Sequence, residues 1–318
     1  MAKKKKRRRV NVARLLILVL CFLLIIGLAV YGIKKIFFKP EETVVQEEKN
    51  SNVDTNVEKI IEAGFNEEQA KELISLSNYW PDRLDRYVSY YNGDMKQSVM
   101  DVNCDMDLEP YQQTTIVKDD DDPAYLVNKF YALEDGYVPD DLVDLDTFAC
   151  VQGQDYACQD IIQLRKEAKD AYIEWCKAAQ KENLEIRAIS GYRTYEYQKG
   201  LWDHNASVYG QEYADAYYAR PGQSEHNTGL AVDITFNGYN FNEIENYDGY
   251  EWILENAHKY GFILRYPEDK TDVTRYGYES WHFRYVGKEI ATEIYENDWT
   301  LEEYILEHGF SYTLKIKE

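Results

Sequence analysis

The sequence predicts an α+β fold: a small mixed or antiparallel sheet with flanking helices, behind an N-terminal transmembrane helix and a short helical spacer. Three observations predict it: an uncharged apolar run near the amino terminus, apolar residues at three-to-four spacing after it, and short apolar strands alternating with helices in the second half. We therefore divide the chain into a basic tail (1–13), an anchor (14–36), a linker (37–56), a helical spacer (57–125) and an α+β domain (126–318).

The N-terminal segment has the length and charge pattern of a membrane anchor. Residues 15–33 carry no charged side chain, and at ~1.5 Å per residue such a helix spans about 28 Å, close to the thickness of a bilayer core. Eight basic side chains precede the run and three follow it, which predicts a cytoplasmic amino terminus in the plasma membrane and an extracytoplasmic remainder. The alternative is a cleaved signal peptide, whose apolar run is usually about 7–15 residues and ends at a small-residue cleavage site. This chain has no such site.

The body of the chain is strongly acidic. The formal net charge is −21, and because residues 1–40 hold eleven basic and no acidic side chains, residues 41–318 hold 25 basic against 57 acidic ones, a net of −32. A surface of that charge repels phosphate, which argues against a nucleic-acid partner. Aromatic residues make up 14% of the chain and exclude a mostly disordered protein.

Four cysteines follow the anchor: Cys104, Cys150, Cys158 and Cys176. None forms a C-x-x-C pair, so neither a zinc ribbon nor a thioredoxin-type motif is indicated. Cys150 and Cys158 lie eight positions apart in a segment predicted to be exported, and we hypothesise a disulfide between them. Four buried free thiols are the alternative.

The spacing of apolar residues predicts the elements beyond the linker. Between Val57 and Tyr91 it predicts two or three short helices, whereas the acidic run Asp119–Asp122 lacks the ligand spacing and glycine of a calcium loop and is interpreted as a solvated turn. In the α+β domain the pattern predicts, in order, a helix over Ile161–Ala178, a strand over Leu184–Ile189, a helix from near Tyr195, a strand over Leu230–Ile234, a helix over Tyr250–Tyr260 closed by Gly261, and a strand over His282–Val286.

Two histidines and one aspartate stand out as candidate metal ligands. Asp233 has apolar neighbours on both sides in a predicted strand, and a buried carboxylate needs a cation or several donors. His226, Asp233 and His282 together make the ligand set of a catalytic zinc ion, with a fourth position left for water. The alternative is a structural ion pair of Asp233 with Arg193 or Arg284. The spacing alone does not separate the two.

Glu279 favours the zinc interpretation. It lies three residues before His282, close enough to share the site and to accept a proton from a metal-bound water as that water attacks. Residues three apart in a regular strand face opposite sides. The interpretation therefore requires a turn or bulge at Ser280.

Arg193 is the candidate for binding an anion. It follows a predicted strand directly, in the segment Ser190-Gly191-Tyr192-Arg193. A planar guanidinium there suits a substrate carboxylate or an anionic tetrahedral intermediate. The alternative is a salt bridge to one of the many acids.

These motifs resemble one family of zinc peptidases. The matching segments are Ser190-Gly191-Tyr192-Arg193 with Gln198, Ser224-x-His226-x-x-Gly229-x-Ala231-x-Asp233, and Glu279-x-Trp281-His282. In this order they are similar to the VanY-type D-alanyl-D-alanine carboxypeptidases, with their LD-carboxypeptidase relatives, which trim peptidoglycan stem peptides. The similarity extends over roughly residues 127–290.

The resemblance implies roles for individual residues. It implies one zinc ion on His226, Asp233 and His282, with Glu279 as catalytic base and Arg193 steadying the substrate. It also implies a substrate-binding set made up of Ser224, Arg193, Gln198, Tyr192 and Trp281, with Ser224 near the terminal carboxylate. Asn227, Ser280 and Arg275 depart from the family pattern, which leaves the ligands and the base in place.

The function expected from these features is a membrane-anchored, extracytoplasmic zinc carboxypeptidase. It would remove the C-terminal D-alanine from peptidoglycan stem peptides, with D,D- or L,D-specificity. A non-catalytic peptidoglycan-binding module of the same fold is the alternative. A serine peptidase of the S-x-x-K type is excluded, since none of the ten serines has a lysine three residues later.

Overall fold

The computed structural model describes residues 56–112, 114–117, 123–146, 149 and 161–308. The predicted anchor, the acidic run Asp119–Asp122, Cys150 and Cys158 lie outside these ranges, so the anchor, the solvated turn and the disulfide stay predictions. Within the described ranges no helix combines the length and the apolar character that crossing a membrane requires. The other two cysteines that follow the predicted anchor, Cys104 and Cys176, are buried free thiols.

The first part of the region predicted as a helical spacer is helical, up to Asn103, whereas Thr115–Ile116 in its second part form a strand. The helical part forms α1 (56–63), α2 (Glu67–Ser75), α3 (Leu84–Tyr90) and α4 (Met95–Asn103). Asn66 starts α2 with a capping box, because its side chain accepts from the Gln69 amide and the Gln69 side chain accepts from the Asn66 amide, both at 2.9 Å.

The helices pack on the residues that follow. The Tyr131 hydroxyl donates to Asp105 at 3.1 Å, and the Arg275 guanidinium donates to the backbone oxygen of Met106. The described residues from Ile60 to His308 accordingly belong to one compact unit.

Two small sheets precede the main one. β1 (Thr115–Ile116) pairs in parallel with β2 (Tyr131–Ala132), and β3 (Leu142–Asp144) pairs antiparallel with β4 (Gln163–Arg165). The helix predicted over Ile161–Ala178 was therefore wrong at its start, since α5 runs over Lys166–Lys181. Ile162 and Leu164 are buried whereas Ile161 is 65% exposed. That is the two-residue period of a strand.

A four-stranded antiparallel sheet positions the candidate residues. It consists of β5 (Ile186–Ser190), β6 (Ala231–Phe236), β7 (Phe262–Leu264) and β8 (His282–Tyr285), in the order β5–β6–β8–β7. The three strands predicted from the sequence are confirmed as β5, β6 and β8, and so is the α+β class, whereas β7 was not predicted. The remaining helices are α6 (Tyr195–Tyr209), α7 (Gln211–Tyr217), α8 (Tyr250–Ala257), α9 (Thr271–Thr274), α10 (Lys288–Asn297) and α11 (Leu301–His308).

Helix α5 covers one face of this sheet. Trp175, fully buried on α5, stacks on Phe262 of β7 at 5.4 Å between ring centroids and meets Phe283 of β8 edge-on at 5.1 Å. Helix α8 continues as a short 3₁₀ turn over His258–Tyr260 and ends at Gly261, where φ is +84°. The predicted closure of this helix by a glycine is confirmed.

The segment that leads into β6 is tightly packed at Gly229, and an alanine substitution can test this. The φ of Gly229 is +70°, and an added Cβ would lie 2.9 Å from Leu142 and 3.1 Å from Arg165. Gly136 has a similar φ of +74° but nothing within 4 Å of such a Cβ. We expect Gly136→Ala to cost about 1–2 kcal/mol through backbone strain alone. Gly229→Ala should cost about 1–3 kcal/mol more through overlap.

The free energy of unfolding in urea measures both variants against the parent. Equal losses for the two alanines would contradict the packing argument, because only the overlap separates them.

Candidate metal centre and active site

Three segments bring the predicted ligands together. His226 lies in a 3₁₀ turn (Glu225–Thr228) that begins at Ser224, whose hydroxyl accepts from the His226 amide. Asp233 lies in β6 and His282 begins β8, and these two residues are direct partners in the antiparallel ladder. The pairing of β6 with β8 therefore holds the imidazole and the carboxylate side by side.

The three donor groups are close enough to bind one ion. His282 Nδ1 lies 2.9 Å from Asp233 Oδ1, and His226 Nε2 lies 3.2 Å from Asp233 Oδ2. All the donor atoms lie within 4.8 Å of one another, and all three residues are buried. Two imidazoles and a carboxylate at these separations fit a zinc ion with a fourth position for water or substrate. They are the ligands predicted from the sequence.

The remaining nitrogen of each imidazole has its own partner. His226 Nδ1 lies 2.7 Å from the backbone oxygen of Gly191, and His282 Nε2 lies 3.3 Å from Glu225 Oε2. A hydrogen bond on the outer nitrogen of a ligand histidine fixes the ring and its tautomer. His226 Nε2 and His282 Nδ1 are thereby left to face Asp233.

Burial and charge set the ionisation of these groups. Burial, together with the nearby Arg193 charge, lowers the pKa of His226 to about 4, so this ring is neutral. Burial opposes a charge on His282 too, but its bonds to Asp233 and Glu225 outweigh it and raise the pKa to about 9. Burial likewise disfavours the Asp233 carboxylate, but His226, His282 and Arg193 hold its pKa well below the usual range.

Glu279 reaches the same centre through the turn that the sequence interpretation required. The His282 amide donates to the Glu279 backbone oxygen at 3.2 Å, which closes a turn over Ser280 and Trp281. Glu279 Oε2 then lies 3.8 Å from His282 Nδ1. Burial raises the pKa of Glu279 to about 7, against the opposing charge of His282. A carboxylate of that pKa suits proton transfer near neutral pH.

Arg193 lies beside Asp233. Its Nη2 donates to Asp233 Oδ2 at 2.8 Å and its Nε to Ser190 Oγ at 3.0 Å, and a fifth of its side chain is exposed. The ion pair considered as an alternative for Asp233 is thus present, together with the ligand cluster. The other candidate partner, Arg284, binds Glu225 instead, at 2.9 Å.

An open cleft of about 580 Å³ contains these residues. Ser224, Gln198 and Trp281 line it, and the Gln198 Oε1 atom is buried without a hydrogen-bond partner. Trp281 meets Phe241 edge-on at 5.5 Å. Tyr192 is buried and is not among the cleft-lining residues. The structure thus brings every predicted site residue except Tyr192 into one cleft.

Sequence reasoning missed a buried charge cluster under the centre. Glu225 Oε1 accepts from Arg265 at 2.7 Å and from Arg284 at 2.9 Å, and Arg265 also binds Glu302 through two contacts of 2.6 and 2.8 Å. Both guanidiniums are fully buried. Burial opposes the charge on Glu225, but the two arginines outweigh it and keep the pKa of this carboxyl well below its usual range.

A signal for this cluster was present in the sequence. Arg284 stands between Phe283 and Tyr285 in a predicted strand, and the reasoning that singled out Asp233 applies to it equally. Its partner Glu225 comes from a segment 59 residues away, and the spacing of residues does not predict that contact.

Two departures from the family pattern have a local explanation. Asn227 donates to the Arg193 backbone oxygen at 2.7 Å and accepts from the Gly222 amide at 3.1 Å, so it ties the Arg193 loop to the His226 turn. Arg275 has a φ of +62°, the left-handed conformation that favours glycine.

Comparison with known proteins identifies the family. The family model for VanY, D-alanyl-D-alanine carboxypeptidase, matches residues 161–288. The Enterococcus gallinarum bifunctional D-Ala-D-Ala dipeptidase and carboxypeptidase VanXYC is 38% identical over 41% of this chain and 73% of its own length. The chain belongs to the VanY family. This confirms the family predicted from the sequence and its zinc metallopeptidase class.

Other VanY relatives agree. The Bacillus subtilis protein YodJ, a carboxypeptidase by name, is 48% identical over 56% of this chain and 65% of its own. The solved structure of the LdcB LD-carboxypeptidase is 42% identical, with a TM-score of 0.54 over 62% of this chain and 96% of that one. The chain spans about half to two thirds of the length of curated relatives such as YodJ.

Glu225 tests whether the buried cluster orients a ligand of this VanY site. We expect Glu225→Gln to weaken zinc binding about 10–100-fold, because the His282 ring loses its charged partner. Competition with a chelator of known affinity measures this, and the absorption spectrum of the cobalt-substituted protein reports the ligand geometry.

Glu302→Gln is the matched control. Glu302 binds the same Arg265 and has no contact with His282 among those described, so its loss should lower stability while leaving zinc affinity near the parent value. Equal loss of zinc affinity in both variants would contradict the orienting role.

Proposed function

We propose that this protein is an extracytoplasmic zinc carboxypeptidase that removes the C-terminal D-alanine from peptidoglycan stem peptides. One observation carries the proposal: the donors of His226, Asp233 and His282 converge in a cleft where Glu279 lies 3.8 Å from a ligand nitrogen and Arg193 lies on Asp233. The VanY family supplies the class of reaction.

The chain's own residues divide the work of hydrolysis. His226, Asp233 and His282 would hold a zinc ion, which would supply Lewis-acid activation of the attacking water and of the scissile carbonyl. Glu279, with its pKa near neutrality and about a quarter of its side chain exposed, takes the proton of the attacking water and returns one to the leaving amine.

Arg193 is proposed to hold the negative charge of the substrate. A guanidinium has five N–H donors, and the bonds to Ser190 and Asp233 use two of them. Donors therefore remain for a terminal carboxylate or a developing oxyanion, in a cleft where partial burial strengthens the interaction. Ser224 and the unsatisfied Gln198 Oε1 in the same cleft add polar groups for the peptide end.

The alternative, a binding module without catalysis, is less well supported. Such a module does not need a proton acceptor beside the ligands, and here Glu279 is held there by a specific turn. The complete ligand set with this glutamate favours an enzyme.

Glu279→Gln tests the mechanism. We expect kcat for D-alanine release to fall about 10²–10⁴-fold, since the base is lost, while zinc content and fold are retained. Stem pentapeptide and stem tetrapeptide are assayed separately, which assigns D,D- and L,D-activity by the peptide that loses D-alanine.

Glu243→Gln, at an exposed position, is the control for the same chemical change and should behave like the parent protein. A zinc-loaded Glu279→Gln variant as active as the parent would sink the mechanism. Parent protein that releases no D-alanine from either peptide would support the binding module.

We also propose that the catalytic unit is held at the outer face of the plasma membrane by the anchor at residues 14–36. The uncharged run at 15–33, with eight basic side chains before it and three after, supports this orientation. We expect the full chain to sediment with membranes and its domain to be digested by protease added outside spheroplasts.

Deleting residues 1–36 behind a cleavable export signal should release an active soluble enzyme. Full-length protein that stays protected from external protease in intact spheroplasts would contradict the proposed orientation.

A further inference from the structure

Three exposed tyrosines form a ladder beside the cleft. Tyr209 at the end of α6 and Tyr213 and Tyr217 on α7 are spaced four residues apart. Their ring centroids lie 4.8 Å apart at both steps, with interplanar angles of 47° and 44°. The residues are 62%, 40% and 60% exposed. We call this set the tyrosine ladder.

Burial in the core does not account for these three tyrosines, because much of each side chain is exposed to solvent. Aromatic residues four apart on one helix, as Tyr213 and Tyr217 are on α7, normally share an apolar face that packs on the core. Here the shared face points outward, and contiguous exposed apolar surface of this kind marks an interaction site.

The ladder is continuous with the proposed active site. Tyr213 and Tyr217 line the same cleft as His226 and Glu279, whereas Tyr209 lies beyond the cleft-lining residues. A ligand that follows the rings therefore leads from the catalytic centre out onto the surface.

We propose that the tyrosine ladder binds the glycan to which the stem peptide is attached. This rests on the proposed function, which supplies the peptide end of that ligand. Pyranose rings present C–H faces that stack on aromatic faces, and the tyrosine hydroxyls suit the sugar hydroxyls. A stem peptide seated with its terminal D-alanine at the metal centre has its other end joined to sugar, outside the peptide site.

Charge favours a neutral saccharide over an anionic polymer or lipid surface. The chain carries −21 overall, and Glu212 on α7 is exposed. Two basic residues close to this helix are already bound to it, since Arg220 donates to the Asp215 carboxylate at 2.8 and 2.9 Å and Lys129 donates to the Asp215 backbone oxygen at 2.8 Å. Phosphate-bearing ligands would be repelled. N-acetylated sugars whose lactyl group is amidated to the peptide carry no charge.

The size of the ladder disfavours a second copy of the chain as its occupant. A fully buried tyrosine contributes about 150–250 Å², so three half-exposed rings offer about 225–375 Å² per copy. A symmetric contact would then bury about 450–750 Å², below the ~1,000 Å² of a stable interface.

The test compares two substrates that share one scissile bond. The zinc-loaded enzyme is assayed on free stem peptide and on the same peptide carrying its disaccharide. We expect the parent to prefer the disaccharide-peptide through a lower KM. The variant Y209A/Y213A/Y217A should lose that preference, with the ratio of the two kcat/KM values falling about tenfold. Tyr295→Ala, at a tyrosine that is 48% exposed outside the cleft lining, should keep the ratio.

A second measurement separates this inference from the proposed function. Peptide-free disaccharide oligomers are titrated into the parent and the triple variant, and binding is measured by isothermal titration calorimetry. Saturable binding by the parent alone supports the ladder even if no peptide is cleaved. An unchanged kcat/KM ratio, oligomer binding equal in both proteins, or a dimer lost in the triple variant by sedimentation would each overturn the inference.

Discussion

The site depends on one buried carboxylate, Glu225. It accepts from Arg265 and Arg284 with one oxygen and meets the outer nitrogen of His282 with the other. A buried carboxylate is tolerated only when its charge is compensated, and the two fully buried guanidiniums provide that compensation. The fold therefore contains a buried ion cluster that fixes the orientation of the His282 imidazole in the cleft.

The backbone supplies the rest of the alignment. Antiparallel pairing places Asp233 directly opposite His282, and the turn before β8 brings Glu279 to the same side as His282. The His226 ring is fixed by a backbone oxygen, that of Gly191. Ligands and base thus sit on strands and tight turns, which hold a catalytic geometry more rigidly than long loops do.

Much of this was predictable from the sequence, for local reasons. The strands at β5, β6 and β8 follow from short apolar runs, and Asp233 stands out because its neighbours are apolar. Even the turn at Ser280 follows from the demand that Glu279 and His282 share a side. The predicted start of α5 was wrong because Ile161–Leu164 is too short to distinguish the helical period of 3.6 residues from the strand period of two. The segment forms a strand because it pairs with β3, and such a long-range contact is not visible in the local pattern.

Residues that act through distant partners could not be found in this way. Glu225 adjoins the ligand His226 in sequence, yet its partners lie 40 and 59 residues further along the chain. Only the folded structure shows that Arg284 forms an ion pair with Glu225 rather than with Asp233. Tyr192 is the opposite case, since a motif position predicted it at the substrate and the fold buries it outside the cleft lining.

The ion pair of Asp233 with Arg193 and its place in the ligand set, weighed as alternatives from the sequence, are compatible in the structure. An ionised carboxylate offers about four lone-pair sites on its two oxygens. Oδ1 faces His282, while Oδ2 faces both His226 and Arg193. Arg193, which compensates the charge of Asp233, therefore also lines the cleft, where it directly contacts one of the three candidate metal ligands. An anion held by Arg193, as proposed for the substrate, would therefore lie beside the three candidate metal ligands, because Asp233 belongs to that set and binds Arg193.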